Sequence, residues 1–232
     1  MTPRFARLPI LAGMVLAQLA WAAPAGAQGL PALLPDSRVI ADVLDGRGGA
    51  PEPARPPASA TAYRASPEAG ADARRAYAEW MSLLGSAESG RRVAAALGDR
   101  DPVRGWARIV GDDGLHPGDM ADVVAGYWLL NWTIANGADS SREGAEAVRR
   151  QVRQMIVASP GFDRLDEAER QRLSEALMLE FLVEHAAYAD AVARGDRAAA
   201  GRLAEAAVVR FRAQLGVDLR ALRLTDEGFV RS

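Results

Sequence analysis

The stretch PGDMADVVAGYWLLNWTIANG, residues 117–137, decides the fold. On a wheel of 3.6 residues per turn, Met120, Val123, Val124, Tyr127, Trp128, Leu130 and Ile134 cover well over half the circumference. Leu129 and Trp132 extend the apolar surface further. A helix that is apolar nearly all round is a buried one. The stretch is therefore expected to be the central helix of an all-α domain, opening at Pro117 and stopping at Asn136-Gly137. Two polar residues on it stand out. Asn131 falls in the middle of the apolar arc, where an amide must find partners or cost about 1–3 kcal/mol. Asp122 lies on a narrow strip with Gly126 and Thr133. The ordinary reading makes Asn131 a satisfied core amide and sets Asp119 and Asp122 against the positive end of the helix dipole. The functional reading makes Asp122, Asn131 and Trp132 the lining of a ligand site.

The punctuation on either side of this stretch is helical too. Ser66-Pro67-Glu68 supplies an N-cap, a proline at the first helical position and an early acid, predicting a helix to about Gly85. Further helices are expected over 87–98, 102–110, 141–158, 166–193 and 196–215, closed by glycines or by Ser159-Pro160-Gly161. Residues 217–224 read as one short extended piece or a last helical turn. No region alternates with period two for long. The expectation is one compact all-α domain of six to seven helices with short loops, sequential helices lying as antiparallel neighbours. The Ala-rich pair joined at Gly195-Asp196 has no second copy at a fixed period, so a repeat array is excluded.

The helix over 166–193 carries a second anomaly. Leu173, Leu177, Phe181, Tyr188 and Val192 form its apolar stripe, Glu184 projects between Leu173 and Leu177, and His185 lies beyond Phe181. A carboxylate placed there is either paired, with one of the many arginines, or held at a raised pKa. Glu180 lies one turn earlier. Glu184 and His185 thus join Asp122, Asn131 and Trp132 as candidate binding residues, although structural ion pairs produce the same pattern.

The first 27 residues read as a cleavable secretory signal. Arg4 and Arg7 precede the apolar run Leu8 to Ala23, and Ala25-Gly26-Ala27 offers the small residues of a peptidase site. The run is short and interrupted for a membrane span, which needs about 20 apolar residues, so no membrane anchor is expected after cleavage. With no Cys in the chain, a lipid anchor and disulfides are both excluded. Residues 28–44 form a mildly apolar segment fit for a helical turn or two docked on the domain. Residues 45–62 are rich in Pro, Gly and Ala and read as a disordered linker, placing the domain at 63–232. All 28 basic residues are arginine. Without Arg4 and Arg7 the chain carries 26 basic against 30 acidic residues, a mildly acidic balance that gives no electrostatic case for nucleic acid.

Catalytic motifs are not found. There is no Gly-x-Ser-x-Gly elbow and no phosphate-binding glycine loop with its Lys. Glu88-Ser89-Gly90 is similar to the Glu-Ser pair of helical lytic transglycosylases, but the downstream segment of that pattern is missing. The two histidines, His116 and His185, are not spaced as metal ligands. No catalytic residue, metal or cofactor is assigned.

Four segments carry a family resemblance. They are Tyr63-Arg64-Ala65-Ser66-Pro67, the run Leu115 to Asp122 leading into Tyr127, Trp128 and Trp132, Ala147-Val148-Arg149-Arg150-Gln151, and Leu222 to Phe229. Together they resemble the bacterial exported family filed as domain of unknown function 6683, over about residues 63–229. The resemblance implies an exported helical domain and brings no activity with it. The expectation is a periplasmic or secreted, non-catalytic module that binds a protein or small-molecule partner. The alternative is a cell-wall hydrolase with a buried Glu as general acid, pairing Glu184 with Glu180 or Asp122.

Overall fold

The computed structural model describes residues 37–45, 57–84, 91 and 101–232. Residues 1–27, read as a signal, most of the expected helix over 87–98 and residues 46–56 of the expected linker lie outside the described residues. Those described form an all-α domain of seven helices: α1 (Ser37–Leu44), α2 (Pro67–Leu84), α3 (Pro102–Val110), α4 (Met120–Asn136), α5 (Arg142–Ala158), α6 (Glu167–Ala193) and α7 (Arg197–Leu215). A short antiparallel hairpin follows, β1 (Leu222–Thr225) and β2 (Gly228–Arg231), in which Leu222 pairs with Arg231 and Thr225 with Gly228.

Helix α4 is the axis of the domain. Every residue from Met120 to Ile134 is buried, because α5, α6 and α7 all pack on it. Its apolar circumference admits no other position, since each face left in water would forgo about 25 cal/mol per Å² of burial. Phe211 of α7 stacks on Tyr127 and meets Trp128 edge-on, at 5.8 and 5.6 Å between ring centroids. Trp106 of α3 lies against α4 at Gly126, where a Cβ would come within 3.1 Å of the indole. The Gly on the polar strip is thus a seat for a tryptophan.

Helix α4 opens three residues later than Pro117. Gly118 has a φ of 93°, outside the helical region for any residue. Asp119 then caps the helix by accepting the Ala121 N–H at 2.8 Å. The far end is as expected: Gly137, at φ 62°, donates its N–H to Thr133 O. Helix α6 opens with a reciprocal capping box between Asp166 and Glu169.

Sequential helices are neighbours in two cases, α4 with α5 and α6 with α7, but α4 also takes α6 and α7, and α2 packs on α6. Short loops set which helices follow each other closely, whereas burial of the all-round apolar α4 decides that three helices surround it.

The linker is shorter than its composition implies. Residues 58–61 form a 3-10 turn and Thr61 is wholly buried. Its hydroxyl donates to Asp119 Oδ1 at 2.6 Å, and Ala62 pairs with Asp119 as an isolated antiparallel bridge. Tyr63 N donates to Gly118 O at 2.9 Å. Partners distant in sequence order this segment, which local composition does not register. Segment α1 docks as a short helix, with Ile40 and Leu44 buried against α5 and β2. No helix among the described residues is long and apolar enough to cross a membrane.

The stretch 217–224, read as one extended piece or a last helical turn, holds both: a 3-10 turn at Leu219–Ala221 and then β1, which β2 turns into a hairpin. The hairpin is held from outside. Gln151 donates through Nε2 to Phe229 O at 2.8 Å and accepts Phe229 N–H through Oε1 at 3.0 Å. Asn136 Nδ2 donates to Leu219 O just before it at 3.1 Å.

Candidate functional site

The structure divides the five candidate residues among four places. Asp122 belongs to a cluster at the start of α4. Its Oδ2 accepts the His116 N–H at 2.9 Å and lies 3.8 Å from Arg149 Nη1, while its Oδ1 lies 3.5 Å from Arg153 Nη2. Arg153 also donates to Asp119 Oδ2 at 2.7 Å and, through Nε, to Thr61 Oγ1 at 3.2 Å. Two aspartates thus face two arginines, all four drawn from α4, its cap and α5. Burial pushes the Asp122 carboxyl up to about 6, and the nearby Asp119 charge adds to this. The His116 N–H, Arg149 and Arg153 pull it back.

Asn131 and Glu184 do meet. Asn131 Nδ2 donates to Glu184 Oε2 at 2.9 Å and to Tyr127 O at 3.0 Å. Its Oδ1 accepts from Arg210 Nη2 at 2.7 Å. Arg210 also contacts Glu184 Oε1. Glu180, one turn earlier on α6, accepts the Tyr77 hydroxyl of α2 at 2.8 Å. Here two carboxylates share one guanidinium among α2, α4, α6 and α7.

That imbalance has an electrostatic consequence. Burial pushes Glu184 up to about 8; Arg210 opposes the rise, Glu180 adds to it, and the Asn131 amide opposes it. Burial alone would lower Arg210, but the charges of Glu184 and Glu180 and the Tyr127 hydroxyl hold its pKa above the usual guanidinium value. Near neutral pH the Glu184 carboxyl therefore keeps its proton. Burial likewise raises the Tyr77 and Tyr127 hydroxyls well above their usual range, and the neighbouring carboxylates add to both shifts, so both stay protonated.

Trp132 and His185 point elsewhere. Trp132 Nε1 donates to Leu222 O at 3.0 Å, pinning the hairpin to α4. The His185 ring stacks nearly parallel on Phe181, 5.9 Å between centroids. Asp122 and Asn131 lie nine residues apart on one helix, about 13 Å along its axis. The five residues accordingly do not converge on one ligand.

The pairing of Glu184 with an arginine was foreseeable from its place in an apolar stripe; the identity of Arg210 was not. Nothing in the local sequence distinguishes Arg210 or Arg153 from the other arginines. Tyr77 and Tyr127 read as core aromatics, and their hydroxyl contacts are set by helices distant in the chain. Among the described residues no group of three or more His, Asp or Glu side chains is placed to hold a metal ion.

A glycosidase-type pair needs a protonated carboxyl within reach of substrate and a second carboxylate roughly 5–10 Å away. Glu184 is 9% exposed, and Arg210 and Asn131 occupy its two oxygens. Glu180 belongs to the same cluster and accepts the Tyr77 hydroxyl, and Asp122 belongs to the other cluster.

This helical architecture, with α3 to β2 built around α4, belongs to the Family of unknown function (DUF6683). The family model matches residues 104–231, more than half of the chain. The match begins within α3, so Tyr63 to Pro67 and all of α1 and α2 precede it. No curated protein and no solved structure matches the chain.

Proposed function

We propose that this chain is an exported, non-catalytic interaction module that binds a protein or small-molecule partner outside the cytoplasm. What supports export is the signal pattern of residues 1–27. One observation carries the non-catalytic reading: Glu184, the buried carboxyl best placed to be an acid, is already engaged on both oxygens by Arg210 and Asn131. Its geometry is that of a structural tie between α4, α6 and α7. The mild acidity of the chain favours partners other than nucleic acid.

One observation favours the cell-wall hydrolase alternative, namely that Glu184 is pushed up to about 8 and so carries a proton a general acid could use. Incubating the mature protein with purified peptidoglycan separates the two. The interaction reading expects no soluble fragments. Release by the native chain that disappears in Glu184→Gln would install the hydrolase. Fractionation of expressing cells, with N-terminal sequencing, tests export: a mature chain starting at Gln28 outside the cytoplasm is expected, and a full-length cytoplasmic chain would refute it.

A further inference from the structure

Helix α1 is held differently from the rest of the molecule. It is eight residues long, too short to be stable as an isolated helix. Its anchors are Ile40 and Leu44, four residues apart and both buried, with Val39 and Val43 partly buried beside them. One ion pair, Asp45 to Arg231 Nη1 at 3.1 Å, joins its C-terminal end to β2. The seat it occupies, on α5 and β2, is by contrast fastened without it. Gln151 grips Phe229 on both backbone groups, Trp132 holds Leu222 O, and Leu224 packs so closely over Gly144 that a Cβ there would come within 3.0 Å. The seat also lies wholly within residues 104–231, the part that matches the family, whereas α1 precedes the match.

From this we infer that the α5–β2 seat is a helix-binding groove for a partner protein. Its ligand is a short amphipathic helix with apolar residues four apart and an acid directly after the second, and α1 is a ligand of that kind bound in cis. Charge complementarity selects the partner: Arg231 at the end of the seat fits an acidic side chain leaving a helix C-terminus. Apolar anchors at i and i+4 are how a groove reads a helix. The groove is the contact surface of the interaction module proposed above and rests on that reading. A tethered α1 competes with a free helix at an effective concentration of roughly millimolar, so it is a built-in competitor.

The test uses a fluorescein-labelled peptide of residues 36–47 as probe and the full mature chain as receptor. Ile40→Asp with Leu44→Asp in the chain empties the groove. This variant is expected to bind the peptide at least ten-fold more tightly than the native chain does. Adding Arg231→Glu to it should weaken binding several-fold, and a peptide carrying Asp45→Arg should restore it. An emptied chain that keeps its helical circular dichroism and binds no peptide overturns the inference, as does binding indifferent to Arg231→Glu. Should the emptied variant unfold, amide exchange on the native chain decides. Amides of α1 exchanging far faster than those of α5 and β2 support a displaceable helix, and equal protection refutes it. The peptidoglycan assay reads Glu184 alone, so failure of the groove and failure of the interaction reading are told apart.

Discussion

Two buried charge clusters bracket the central helix, and they are balanced differently. At the start of α4, Asp119 and Asp122 face Arg149 and Arg153, two charges against two. Nine residues further along α4, at Asn131, Glu180 and Glu184 share Arg210. Taking a charge out of water costs several kcal/mol unless a partner compensates. The first cluster meets that demand with cations. The second meets it with one cation, one proton and the Asn131 amide. The first therefore works as a fixed clamp on the α4 cap, the Thr61 turn and α5, while the second couples the packing of α4, α6 and α7 to pH.

Arg210→Met removes the only guanidinium of the second cluster, and urea unfolding should show a loss of about 4 kcal/mol at pH 9. At pH 6 the loss should be about half that, because Glu184 is then protonated and removal of the cation strands one carboxylate instead of two. Arg153→Met should cost less, about 2 kcal/mol, because Arg149 stays beside Asp122. Equal losses in the two variants would show that the second arginine compensates for nothing.

Proton linkage sharpens the contrast. The Glu184 carboxyl rises from 4.5 to about 8 on folding. The folded state therefore keeps a proton the unfolded state has released, and this contribution to stability is complete below 4.5 and lost as pH rises through 8. Native stability should drop by on the order of 2 kcal/mol between pH 6 and 9 from this group. Glu184→Gln should abolish that part of the slope; an unchanged slope would show that Glu184 retains no proton on folding. Asp122, raised from 3.8 to about 6, gives the same sign in a lower window. Asp122→Asn should flatten the curve between pH 4 and 6 by about 2 kcal/mol, and its whole shift is smaller than that of Glu184.

The smallest effect lies outside both clusters. Trp132→Phe loses one hydrogen bond to Leu222 O, at a cost of about 1 kcal/mol. Amide exchange should quicken in β1 and β2 and stay slow in α4. Fast exchange throughout α4 would mean that Trp132 supports the core and not the hairpin alone.

How much of this was legible depends on range. The burial of α4, the glycine stops at Gly137, Gly195 and Gly216, and the helix starts near 166 and 196 all follow from residues within a turn or two of each other. The oddity of Asn131 and of Glu184 was legible for the same reason: each interrupts an apolar arc of its own helix. Their mutual contact was not, because 53 residues separate them. The Thr61 turn was misread as linker since Asp119 and Arg153, which order it, lie 58 and 92 residues away. Grouping Asp122 with Asn131 failed on plain geometry, since both sit on one rigid helix at a fixed spacing.

Local sequence is enough to make the described chain helical, to bury α4 as its axis and to place most helix ends. Periodicity and capping are local, and burial of an all-round apolar helix leaves no alternative. Tertiary structure alone decided which arginine answers which carboxylate, that Trp132 serves the hairpin, that residues 58–63 join the domain and that α1 rests in a seat built from other elements. Those outcomes turn on pairs far apart in the chain, whose meeting is a property of packed helices and is written in no single stretch of residues.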